Sequence, residues 1–150
     1  MRAFESIKLR QGSLTVWALV APAKSSVLLA SDTTARAFTV PGTGPGVGEQ
    51  HCHIDREGQA SIIEVAELVP GRRAVAVTVS PKPEVAIRLV TEVEPLGTGC
   101  ILSHGMEFEI HAGSEWPALS QEAFRLHAAA YLSRVRAVLE DEVGQKTTDR

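Results

Sequence analysis

Ile62-Ile63-Glu64-Val65-Ala66-Glu67-Leu68-Val69, then Pro70-Gly71, then Arg72-Arg73-Ala74-Val75-Ala76-Val77-Thr78-Val79-Ser80: two runs rich in Val and Ile meet at a dipeptide that cannot continue a strand. This stretch decides the fold. β-Branched side chains suit a pleated surface, and Pro-Gly sets a tight reversal of the chain. The same grammar extends in both directions from Arg36 to His111. Turn chemistry recurs at Pro41-Gly42-Thr43-Gly44-Pro45-Gly46, Asp55-Arg56-Glu57-Gly58, Ser80-Pro81-Lys82-Pro83 and Pro95-Leu96-Gly97-Thr98-Gly99. These breaks leave strands near 36–40, 47–54, 59–69, 72–79, 84–94 and 100–111. The connections are too short for crossover helices, so the sheet is predicted to be an antiparallel meander.

Outside this block the pattern changes. Phe4 to Leu9 alternates as a short strand. Ser13 precedes Leu14-Thr15-Val16-Trp17-Ala18-Leu19-Val20 and predicts a capped helix of about two turns, stopped by Pro22. A second short helix is predicted from Lys24 to Ala30. From Pro117 to Val143 the residues Phe124, Ala128, Tyr131, Leu132, Val135, Val138 and Leu139 recur at helical spacing and form one apolar stripe. Burying that stripe contributes on the order of 10 kcal/mol before entropy. Gly144 is predicted to end the helix, with 144–150 as a frayed tail. No repeat or low-complexity linker divides the chain, so residues 1–143 read as one domain.

The composition excludes several classes of function. The chain has 150 residues, 44% hydrophobic, with 15 Lys+Arg against 18 Asp+Glu. A net charge of -3 leaves no basic surplus for a nucleic-acid partner. No apolar run is long enough for a membrane span, and the first residues lack the layout of a secretion signal. Two cysteines, Cys52 and Cys100, do not make a disulfide scaffold, which points to a reducing cytoplasm. Only 5% of residues are aromatic, so Val, Leu, Ile and Ala must fill the interior.

Motifs within this order bear a family resemblance. Val16-Trp17-Ala18-Leu19-Val20 resembles the first-helix segment of the SRPBCC superfamily, the START-like group that includes lipid-transfer domains, the birch-pollen-allergen type and polyketide cyclase/dehydrase-like proteins. Gly42-Thr43-Gly44-Pro45-Gly46-Val47-Gly48 resembles its Gly-rich approach to the third strand. Glu64 to Arg73 is similar to the strand and Pro-turn that follow, and Thr91-Glu92-Val93-Glu94-Pro95-Leu96-Gly97 to the sixth strand and its turn. The resemblance covers nearly the whole chain. It implies an α+β helix-grip fold: a seven-stranded curved antiparallel sheet, two short helices, and a long C-terminal helix over an internal cavity for an apolar or amphipathic molecule.

Strand parity nominates the cavity lining. In the last strand Glu107 and Glu109 share one face, leaving Leu102, His104, Met106, Phe108 and Ile110 inward. In the strand before it, Arg88, Glu92 and Glu94 point out and Val85, Ile87, Leu89, Thr91 and Val93 point in. Val75, Val77 and Val79 are preferred as inward over Ala74, Ala76 and Thr78. A two-residue turn at Pro70-Gly71 pairs Val77 with Glu64. An even loop at 55–58 then brings Glu64 opposite Glu49, on the face of His51 and His53; the resemblance also places His51 and His53 toward the cavity. A three-residue loop with a bulge at Gly58 instead turns Ile63, Val65 and Glu67 inward in place of Glu64.

The candidate ligand-binding set is therefore Trp17, His51, His53, Glu64, Val75, Val77, Leu89, His104, Met106, Phe108, Phe124 and Tyr131, with Trp17 doubling as an anchor of the first helix. Binding or transport of a small hydrophobic or amphipathic molecule is the leading expectation. The alternative is cyclase/dehydratase chemistry with His51, His53 and His104 as acid and base, Glu64 orienting and Tyr131 donating. The plain alternative for each histidine is a hydrogen-bonded packing residue. His51-x-His53 with Glu64 would be the nearest approach to a metal set, but no recognised motif completes it, and no metal or cofactor is expected. The Gly-rich 42–48 segment lacks the Lys-Ser/Thr of a phosphate loop and is expected beside the cavity mouth, and no Gly-x-Ser-x-Gly is present. His111 and Trp116 read as rim residues and His127 as a helix-flank residue. Exposed sheet and helix surface leaves room for a homodimer.

Overall fold

The computed structural model describes residues 2–83, 85–108 and 118–148. Glu109, Ile110, His111, Trp116 and Pro117 lie outside the described residues. In chain order the elements are β1 (Arg2–Leu9), α1 (Ser13–Val20), α2 (Pro22–Leu28), β2 (Thr34–Thr39), β3 (Gln50–Asp55), β4 (Ala60–Val69), β5 (Arg73–Ser80), β6 (Ile87–Leu96), β7 (Gly99–Phe108) and α3 (Ala118–Thr148). The strands form one 7-stranded sheet in the order β1-β7-β6-β5-β4-β3-β2, with antiparallel neighbours throughout. Strands β2 to β7 are the meander predicted from the spacing of turns, and β1 returns to pair with β7.

Three helix boundaries differ from the sequence reading. Gly12, not Ser13, is the N-cap of α1, and the Val16 N–H closes on the Gly12 carbonyl. Helix α2 starts at Pro22 because proline suits the first helical position, where its missing N–H removes nothing. Helix α3 continues through Gly144 to Thr148; a glycine weakens a helix by about 1 kcal/mol relative to alanine, which does not oblige it to end.

The stripe of α3 packs against β1 and β7. Leu132, Val135 and Leu139 join Leu9, Val16, Val20 and Leu102 in one buried cluster, and Trp17 packs against its edge. The close approach of β1 depends on Gly105. A Cβ there would sit 2.7 Å from Phe4 Cα and nearer still to the Ala3 carbonyl oxygen.

Register decides which side chains face the α3 side of the sheet. The Asp55 N–H bonds the Gln59 carbonyl, leaving Arg56, Glu57 and Gly58 as the hairpin loop, with Gly58 at φ 85. This is the three-residue loop rather than the even one. His51 therefore pairs with Ile63 and His53 with Ser61, while Glu64 pairs with Gln50. Glu64 lies on the opposite, outer face and accepts a hydrogen bond from Gln50 Nε2 at 3.0 Å. Val77 does pair with Glu64, so it too faces outward. Val75 lies on the same side, opposite Val90. Glu67 would have turned inward by parity, but a register shift between Val65 and Glu67 keeps it out.

The outer face thus carries Val75 and Val90, both fully buried, among charged side chains. Arg73 pairs with Glu92 and Glu67, and Arg88 with Glu67 and Glu107. Long guanidinium and carboxylate stems can cover apolar surface while their heads stay wet.

Candidate functional site

With the valines outside, strand β5 presents Ala74 and Ala76 to the interior, opposite Thr91 and Leu89 of β6. Small side chains on a sheet that faces a helix leave space, and here they leave a cavity of about 440 Å³. That is within the size range of small-molecule sites. Its floor is Ile63, Ala74, Ala76 and Leu89 from the sheet. The roof comes from Val20, Pro22, Ser25, Ser26 and Leu29 of the α1–α2 region. Helix α3 closes one side with His127, Tyr131 and Arg134, which its 3.6-residue turn stacks on one stripe. Asp55 lies in the lining as well, its Oδ1 occupied by the N–H groups of Glu57 and Gln59.

The polar groups converge on the α3 side. His104 projects from β7 and stacks on Tyr131 with ring centroids 4.0 Å apart. Its Nδ1 shares a 2.9 Å hydrogen bond with Thr91 Oγ1. Burial, reinforced by the nearby His127 and the Arg134 charge, pushes the His104 pKa down to about 3. The ring is thus neutral at physiological pH. Burial pushes the Tyr131 phenol up to about 12, although the Ser25 and Thr91 hydroxyls nearby pull it back slightly. Neither closes a normal hydrogen bond, and the buried Tyr131 Oη is without a partner among the described residues. Arg134 Nε donates to the Leu29 carbonyl at 3.0 Å.

The three candidate histidines have different fates. His53 lines the cavity, and its Nε2 donates to the Ser26 carbonyl at 2.7 Å, tying β3 to α2. His104 lines the cavity as described. His51 points to the same side of the sheet but is 1% exposed and is not in the lining. Its Nε2 lies 3.8 Å from Glu49 Oε2, and neither ring nitrogen has a hydrogen-bond partner among the described residues. Burial lowers its pKa, with Glu49 pulling upward and His53 adding to the fall. Glu49 is itself covered by the Gly-rich segment, since a Cβ on Gly44 would sit 2.7 Å from Glu49 Cγ. The Gly-rich segment therefore packs on Glu49, and none of its residues is in the cavity lining.

Among the other candidates, Leu89 and Tyr131 line the cavity. Met106, Phe108 and Phe124 do not; the Phe108 and Phe124 rings pack 5.4 Å apart between β7 and α3. Trp17 is a packing residue of the core edge. Glu64, Val75 and Val77 are excluded by register, and with Glu64 outside, the His51, His53 and Glu64 set does not assemble. The sequence reading omitted Arg134 and Ser25 from the candidates. Arg134 was legible in principle, three positions beyond Tyr131 and seven beyond His127 on one helical stripe. The seryl groups of α2 carried no such signal.

No protein-family model matches the chain, and no curated protein matches it. Solved structures do. The chain superimposes on a Thalictrum flavum norcoclaurine synthase point mutant, described in complex with a transition-state analogue, with TM-score 0.70 and 13% identity over 95% of this chain and 96% of that one. Ara h 8.0201 gives TM-score 0.67 and 12% identity over 93% and 98%. A Chromobacterium violaceum protein, CV1439, gives TM-score 0.63 and 18% identity over 93% and 96%. These likenesses show the fold alone: a helix-grip architecture of one seven-stranded antiparallel sheet, short helices and a long C-terminal helix. Among the described residues no helix is long and apolar enough to cross a membrane.

Proposed function

We propose that this chain binds a small apolar or amphipathic molecule in the cavity between the sheet, α2 and α3. The observation that carries this reading is the cavity of about 440 Å³, apolar on its sheet floor and polar along one wall. That division suits a ligand with an apolar body and one polar end.

The cyclase/dehydratase alternative draws less support. A general base works best with a pKa near the working pH, and His104 is held far below it. His53 is committed to the Ser26 carbonyl, and His51 does not reach the cavity. The test is native mass spectrometry of the protein from its own host, paired with Ala76→Phe, which fills the floor. The expected result is a small molecule retained by the wild type and lost from the variant. Absence of any retained molecule, together with no saturable binding of apolar dyes, would overturn the proposal.

A further inference from the structure

The lining holds one permanent cation, Arg134, and its only carboxylate among the described residues is Asp55. Asp55 does not neutralise Arg134: its Oδ1 is taken by the hairpin backbone, and no ion pair joins the two. Arg134 forms no ion pair with any carboxylate among the described residues. Its Nε is anchored to Leu29, and its terminal nitrogens make no hydrogen bond there. One helical turn away, Tyr131 is 7% exposed with an Oη donor that is unpartnered. The phenol O–H makes no normal hydrogen bond among the described residues, and the guanidinium lies 5.9 Å from the Tyr131 ring centroid with only its Nε engaged and no carboxylate on it. A buried donor without a partner is costly, so the wall is complementary to an acceptor that arrives with the ligand.

Resting on the binding reading above, we infer that the cavity selects ligands whose polar end is an anionic oxygen group, foremost a carboxylate, held by Arg134 and Tyr131 with the apolar body over Ala74, Ala76 and Leu89. Arg134 supplies charge and a two-pronged donor, the geometry that favours carboxylates. Tyr131 adds a neutral donor, oriented by its stack on His104. Asp55 makes no ion pair with the guanidinium, and its Oδ1 already accepts from the Glu57 and Gln59 N–H groups.

Two dyes with a shared apolar body separate this inference from the reading beneath it. 8-Anilinonaphthalene-1-sulfonate carries the anionic oxygens, and N-phenyl-1-naphthylamine lacks them. The wild type is expected to bind the sulfonate at least about tenfold more tightly, as a charge-assisted contact implies. Arg134→Met should weaken the sulfonate about tenfold more than the neutral dye, while Arg134→Lys, which keeps the cation, retains part of the preference. Tyr131→Phe should weaken the sulfonate by a smaller factor. Decanoate should displace the bound sulfonate at lower concentration than decanol. Equal affinity of the wild type for both dyes, or equal losses of both in Arg134→Met, would overturn this inference and leave the binding reading standing. If the wild type binds neither dye, this inference falls, and the binding reading falls with it when no molecule is retained from the host either. The wild-type ratio alone decides the matter should a variant fold poorly.

Discussion

The two halves of the interior use the same elements to opposite ends. Toward β1, β7 and the C-terminal half of α3, the space between helix and sheet is filled by Leu9, Val16, Leu102, Leu132, Val135 and Leu139. Toward β4, β5 and α2, the corresponding space is left open by Ala74, Ala76, Ser25 and Ser61. The filled half holds the grip together; the hollow half is free to receive a molecule. Within the sheet the two tasks fall to different residues, while Val20, Leu29 and Tyr131 of the helical side serve both the core and the lining.

Truncation in the filled half is expected to have the largest effect. Leu132→Ala is expected to cost about 3–4 kcal/mol, read from urea denaturation, because the helix and sheet around it cannot collapse. A loss below about 1 kcal/mol would show that the half is not tightly packed.

Acid titration probes the border between the halves, where His104 sits. Its folded pKa of about 3 lies below the unfolded value of 6.5, so it remains neutral in the fold while the unfolded chain takes up a proton. Its contribution to stability is complete above about pH 6.5 and is lost as pH falls toward 3, at about 1.4 kcal/mol per pH unit. Denaturation midpoints at successive pH values should show this slope, and His104→Asn should flatten it.

A smaller effect of opposite sign is expected at Tyr131. Tyr131→Phe removes the orphaned hydroxyl and should raise the stability of the ligand-free protein by up to about 1 kcal/mol, measured by thermal or urea melts. Smallest of all on stability is Ala76→Phe in the hollow half. It should shift stability by less than about 1 kcal/mol because it fills space that is already empty. Its loss of dye binding would then separate the two halves cleanly.

Element order was legible from turn chemistry, because Gly and Pro mark the ends of β-rich runs wherever the chain must reverse. The stripe of α3 was legible from its period. Faces were harder. Within β6 and β7 as described, parity agrees with the register, because Arg88, Glu92 and Glu107 mark the outer side. In β5 the alternation of Val with Ala offered no charge to decide it, and size misled: Val75 is buried on the outer face, and the smaller Ala74 and Ala76 line the cavity. Glu64 was placed inward by assuming an even hairpin loop, and one residue more in that loop turned it out. His51 and His53 do share the α3 side of the sheet. Only tertiary packing separates the buried pair with Glu49 from the cavity wall.

The hairpin loop of Arg56, Glu57 and Gly58 has a consequence for how this chain can change over time. Exposed loops ordinarily tolerate gained and lost residues. Here the length of the loop fixes the pairing of β3 with β4. Deleting one residue would shift that pairing by one and exchange the two faces of β4, bringing Glu64 inward in place of Ile63 and Val65. An indel at this solvent-exposed tip would therefore act like several simultaneous substitutions in the cavity wall. The tip can vary in composition far more freely than in length.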